Sequence, residues 1–313
     1  MQDDRWEREA LREVALEGIR ERRRTRRWGI LFKSLFLAYL VFVLALAMDW
    51  MPGTADPLDG PHAAVVEVDG PIMPGGPNGA DAINESLRRA FSSEGAEAVI
   101  LKVNSPGGSP VQSSRINQEI RRLKDANPET PLHTVAGDML TSGAYYLAVS
   151  SDTIFVDPST MVGSIGVLMN GFGFNEAMER LGIERRLYTA GENKALMDPF
   201  SEAEPEDVAR VQNLLDAIHQ QFIAAVQQGR GDRLASDNDE LFSGEVWVGE
   251  RSIELGLADE VGNLQYVARE VVGVEEIRDY TIRPGLLERI GSGLGGAFGK
   301  AVTREIMGTG GLR

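Results

Sequence analysis

From Trp28 to Trp50 the chain reads WGILFKSLFLAYLVFVLALAMDW, and its only charges are Lys33 near the start and Asp49 near the end. A segment apolar on every face has no solvated side to offer, so it belongs in a lipid bilayer or a protein core. As a helix it spans about 34 Å, enough for a hydrocarbon layer of about 30 Å. Trp28 and Trp50 stand where interfacial aromatics sit. Immediately upstream lies Arg20-Glu21-Arg22-Arg23-Arg24-Thr25-Arg26-Arg27, a cluster that stays on the cytoplasmic side and sends the chain beyond residue 50 across. The expectation is one transmembrane signal anchor at 28–50 behind a charged cytoplasmic tail at 1–27. Ala45-Leu46-Ala47 resembles a cleavage site, so a removable signal peptide competes with the anchor. The length of the region before the apolar run favours the anchor. A buried core helix is the third reading, and the flanking arginines count against it.

The rest of the composition excludes more than it selects. The chain has 313 residues and no cysteine, which removes disulfides, thiolate metal sites and cysteine nucleophiles. Its three histidines, His62, His133 and His219, have no metal-ligand neighbour at helical spacing. They read as structural or solvated, and a Ser-His-Asp triad is a poor fit. Residues 1–34 carry 10 Lys+Arg against 7 Asp+Glu, whereas the remainder carries 22 against 40. So acidic a body argues against nucleic acid or anionic lipid as its partner.

Residues 51–62, rich in proline and glycine, read as a linker. Beyond them strands and helices alternate. Strands are expected at 63–68, 98–103, 132–135 and 153–156, with short ones around 166–168 and 185–188. Helices are expected at 80–92, 111–125, 142–150, 174–181 and 202–229. This alternation indicates an α/β domain over 63–283. The segment 284–313 is glycine-rich with interspersed apolar residues, compatible with an amphipathic helix or a loosely ordered tail.

Three segments could carry chemistry. Asn104-Ser105-Pro106-Gly107-Gly108-Ser109 succeeds a strand, and its glycines allow backbone conformations closed to other residues. Thr141-Ser142-Gly143-Ala144 puts a serine at a helix start, where the helix dipole favours a developing oxyanion. N–H groups of Gly108 and Gly143 could hold that oxyanion. Equally, Ser142 could be an ordinary N-cap, its hydroxyl spent on the backbone two or three residues on. Lys194, in Gly191-Glu192-Asn193-Lys194-Ala195-Leu196-Met197, offers a possible base. A lysine is a base only when neutral, which requires a dry surrounding.

Taken together, NSPGGS, TSGAYYLA, DPSTMVGSIGV and AGENKALMDPF, in this order, resemble the signal peptide peptidase A family of membrane serine proteases. The similarity runs from about residue 63 to 265 and includes Gly244-Glu245-Val246-Trp247 and Glu254-Leu255-Gly256-Leu257-Ala258-Asp259. The resemblance implies a ClpP/crotonase-like fold of stacked ββα units preceded by one N-terminal transmembrane helix. It implies Ser142 as nucleophile, Lys194 as general base, Ser164 as the residue orienting the lysine amine, and Gly108 in the oxyanion hole, with no metal or other cofactor. A single copy of the pattern resembles the short, single-domain form, for which a homo-oligomeric ring is expected, with each active site shared between adjacent protomers. Implied substrates are apolar peptides such as signal peptide remnants. Implied localisation is the inner (cytoplasmic) membrane, anchored through residues 28–50, with the protease domain (63–283) extracytoplasmic. Competing readings are a stomatin-associated protease family that also pairs serine with lysine, a crotonase-fold acyl-CoA enzyme, and a catalytically inactive membrane scaffold.

Overall fold

The computed structural model describes residues 26–44, 60–235 and 239–283, in two parts. In the first, Arg26–Leu44 forms helix α1, 19 residues with a mean hydropathy of 1.7, none of them buried. At about 1.5 Å per residue it extends about 28 Å, long and apolar enough to cross a membrane. The expected anchor's last residues (45–50), the tail at 1–25, most of the linker and the segment 284–313 lie outside the described residues.

The second part is built on parallel strands β1 (His62–Asp69), β2 (Ala96–Ser105) and β3 (Leu132–Thr141). The apolar runs of β1 and β2 are those of strands covered on both faces. Alternate residues divide between two cores. Ala64, Val66, Val99, Leu101 and Leu140 pack under helices α2 (Ala80–Phe91), α3 (Pro110–Ala126) and α4 (Gly143–Ala148). Ala63, Val65, Ile100 and Val135 pack with Val267, Ala268 and Val274 on the other side. Each crossover helix returns the chain to a parallel neighbour, giving the α/β architecture the alternation predicts.

β3 then forks the sheet. Its first half, His133–Val135, pairs with β4 (Thr153–Val156), and its second half, Met139–Thr141, pairs with β5 (Met161–Gly163). At the fork side chains engage the freed backbone: Thr160 Oγ1 donates to Gly137 O (2.7 Å), and Met139 N donates to Asn104 Oδ1 (3.2 Å). β5 pairs antiparallel with β6 (Val246–Val248). The fork delivers the end of β3 to the end of β5, which is where the site forms.

Two expected strands are absent. Residues 166–168 and 185–188 adopt neither helix nor strand, because neither stretch finds a neighbouring backbone to pair with. They fall in a long excursion that includes α5 (Asn175–Arg180) and leads into α6 (Pro205–Arg230). No residue from Gly166 to Gln221 is buried. Only the last part of α6 enters the body, through Phe222, Ala225, Val226 and Arg230. Arg230 is 2% exposed and grips Asp259 with two 2.8 Å hydrogen bonds, while its Nε donates to Gly256 O. Burial works to raise the Asp259 carboxyl, but the Arg230 guanidinium overrides it and holds the group below the usual carboxylate range.

Candidate active site

Ser142 is the single residue between β3 and α4. Its backbone has φ 53° and ψ −126°, a conformation that costs a non-glycine residue about 1–3 kcal/mol. Two hydrogen bonds hold it there: its N–H donates to Gly163 O at the end of β5 (2.8 Å), and its carbonyl accepts from Tyr146 N (2.9 Å). It occupies the N-cap position of α4, yet its side chain makes no capping hydrogen bond. The ordinary capping role is therefore unfilled, and the residue lines a cavity of about 400 Å³ together with Gly108, Gly143, Tyr146, Val167 and Phe222.

The glycine turn folds back over this serine. Ile72 N donates to Gly107 O and Ser109 N to Ile72 O, both at 2.8 Å, leaving Gly108 N outside this pairing. Gly107 has φ 95°, and a Cβ there would stand 2.6 Å from Gly143 N and 2.8 Å from Ser142 Cβ. A Cβ on Gly143 would meet the buried Ser113 Oγ at 2.5 Å and Gly108 N at 3.2 Å. Only glycines allow so close an approach of the two backbones. Among the described residues, neither Gly108 N nor Gly143 N donates a hydrogen bond. Two unspent N–H groups beside a serine hydroxyl can hold the oxygen of a carbonyl as charge develops on it.

Ser164 comes directly after Gly163, whose carbonyl anchors Ser142. Ser164 has φ 52°, and its N–H donates to Glu245 O at 2.6 Å. Lys194 is elsewhere. It sits exposed in a turn after Gly191, where its backbone N–H donates to Gly191 O (3.1 Å), and it does not line the Ser142 cavity. One chain thus brings Ser142, Gly108 and Gly143 to a single cavity, with Ser164 next to the residue that anchors Ser142, and leaves Lys194 outside it. Three further residues shape the site: Gly107, from the glycine turn already legible in the sequence, as a packing partner, Gly163 as the carbonyl that fixes the serine, and Phe222. Phe222 sits at the cavity wall, its ring 4.9 Å from that of Tyr146. Gly163 and Phe222 carry no local sequence signature for these roles, since each acts through a residue distant in the chain.

Residues 124–276 match the profile of Peptidase family S49. Protease 4 of Haemophilus influenzae is 32% identical over 207 residues, spanning 64% of this chain and 32% of that protein. The Na(+)/H(+) antiporter NhaA of Brucella melitensis is 39% identical over 249 residues, spanning 77% of this chain and 33% of the antiporter. The chain thus spans about a third of the length of these curated relatives. Among solved structures, the 1510-N membrane-bound stomatin-specific protease in complex with a substrate peptide is 19% identical, covers 76% of this chain and 99% of its own, and superposes with a TM-score of 0.46.

Proposed function

The chain belongs to peptidase family S49, and on that premise we propose that it is a membrane-anchored serine endopeptidase acting on apolar peptides. The observation that carries this reading is Ser142, held in a strained conformation with its hydroxyl free of capping, on the same cavity as two unspent backbone N–H groups. In the proposed reaction Ser142 Oγ attacks a peptide carbonyl and passes its proton to a neutral Lys194. Gly108 N–H and Gly143 N–H hold the oxyanion, Lys194 protonates the leaving amine, and water hydrolyses the acyl-enzyme. Ser164 orients the lysine amine.

Because Lys194 is outside the cavity of its own chain, the base is assigned to a neighbouring copy in a homo-oligomeric ring. The exposed stretch from Leu168 to Phe200 supports such packing: Leu168, Phe172 and Tyr188 are each at least 80% exposed, an apolar surface that covering by another subunit would bury. Helix α1 supplies the anchor, the basic cluster before it stays cytoplasmic, and the domain lies across the membrane, where signal peptide remnants are the favoured substrates. The transport function of the antiporter relative does not pass to this chain, which matches only a third of it. A thioester-handling enzyme would use the same N–H pair but has no need of a strained serine.

The test is complementation. Ser142→Ala and Lys194→Ala are each expected to lower kcat/KM for a fluorogenic apolar peptide by about 10³-fold or more. Co-assembled in equal amounts, the two inactive variants are expected to recover about a quarter of wild-type activity, because about a quarter of neighbouring pairs then combine an intact serine with an intact lysine. Full activity in either single variant would refute the dyad, and no recovery on mixing would refute its sharing between copies.

A further inference from the structure

His219 lies on the stretch of α6 that also supplies Ile218, Gln221 and Phe222 to the cavity of Ser142. Its Nε2 is 3.0 Å from the carbonyl oxygen of Ile165, with Nε2–H as the donor, since a carbonyl can only accept. Ile165 is completely buried, and the next two residues, Gly166 and Val167, form part of the cavity wall. This wall has no ladder to hold it, because β5 ends at Gly163. Among the described residues, the segment 164–173 is hydrogen-bonded to the rest of the domain twice: Ser164 N to Glu245 O, and Ile165 O to His219. The first bond fixes where the segment leaves β5. The second fixes its distance from α6, and therefore the width of the cavity.

We infer that His219 is a positioning residue for substrate binding, spacing the Gly166–Val167 wall from helix α6 through its hydrogen bond to Ile165. The inference rests on the peptidase reading for the nature of the substrate, an apolar peptide, but concerns binding rather than the chemical step. A wall set at the correct distance stabilises bound substrate and transition state alike, so its loss raises KM more than it lowers kcat.

The experiment uses the full-length chain in detergent and a fluorescein-labelled leucine/alanine heptapeptide, with affinity read by fluorescence anisotropy in a Ser142→Ala background. Adding His219→Leu is expected to weaken binding about fivefold, the scale of one neutral hydrogen bond, and His219→Gln, which restores an N–H donor of similar reach, to bring Kd back within about twofold. His219→Asn, polar but too short to reach Ile165 O, is expected to behave like His219→Leu and serves if that variant does not fold. Kinetics with Ser142 intact should show the same pattern as a rise in KM with kcat within about twofold. Unchanged affinity in both His219→Leu and His219→Asn, or equal weakening in His219→Asn and His219→Gln, would overturn the inference. Failure of the peptidase reading would appear separately, as turnover surviving Ser142→Ala, without disturbing the binding result.

Discussion

At the residue scale the site depends on backbone conformations that resist substitution. Ser142 is held at positive φ by the bond from its N–H to Gly163 O, and its side chain makes no cap to α4. Gly108 faces it at φ 152°, where a Cβ would stand 2.2 Å from Ile72 O. No rotamer relieves that clash, since the atom met is backbone. Gly108→Ala is expected to cost at least about 2 kcal/mol of stability through strain and overpacking. By displacing one of two oxyanion donors it should also lower kcat about 10²-fold. Thermal unfolding together with peptidase kinetics checks both, and a variant that keeps wild-type kcat would remove Gly108 N–H from the proposed oxyanion hole. The glycine turn is legible in the sequence. Its contact with Ile72 is not, because that contact spans a strand and a helix.

At the element scale, helices α2 and α3 are coupled by Glu119, which accepts from Arg88 at 2.7 Å and from Arg122 at 2.8 Å. The Arg122 hydrogen bond lowers the Glu119 pKa to about 2, burial opposes it, and Arg88 adds to the lowering. Since the folded-state value lies below the unfolded one, this stabilisation is fully present above about pH 4.5 and disappears as pH falls toward about 2. Both arginines are about half exposed, so solvent screening reduces the effect. Glu119→Gln is expected to cost about 1 kcal/mol at pH 7, with the difference from wild type vanishing near pH 2. Urea unfolding across that range measures it, and a gap independent of pH would contradict the assignment. Helix and strand positions in this body are largely legible, since periodicity marks a buried face wherever one exists. At 166–168 and 185–188 short runs point to strands, yet neither stretch has a backbone to pair with. A short run does not reveal whether the fold will bring a strand beside it.

At the scale of the whole molecule, the part that holds Ser142 is incomplete as a proposed catalyst. Its arm carries Lys194 out of the cavity and leaves Leu168, Phe172 and Tyr188 exposed. If these side chains pack against a neighbouring copy, replacing Leu168 and Tyr188 with serine is expected to shift the assembly in detergent toward smaller species. Activity per chain should then fall at least about tenfold, as for loss of central interface anchors. The domain's own melting transition should move little, because the arm contributes no buried residue to its core. Mass photometry and calorimetry test this, and an unchanged assembly mass would show that the arm is not the interface.

The order of β1 to β4 and of helices α2 to α6, the apolar helix ahead of them, and the chemical types gathered at the glycine turn, at Ser142 and at Lys194 were set by local sequence, whereas β5 and β6 were not legible there. Hydrophobic period, charge beside an apolar run and glycine freedom act over a few residues and can be read there. The forking of β3, the unspent N–H groups of Gly108 and Gly143, the freeing of the Ser142 hydroxyl and the link from His219 to Ile165 were decided only on folding. Each depends on a hydrogen-bond partner, or on the lack of one, that is brought near by segments far apart in the chain, and no local pattern encodes that distance.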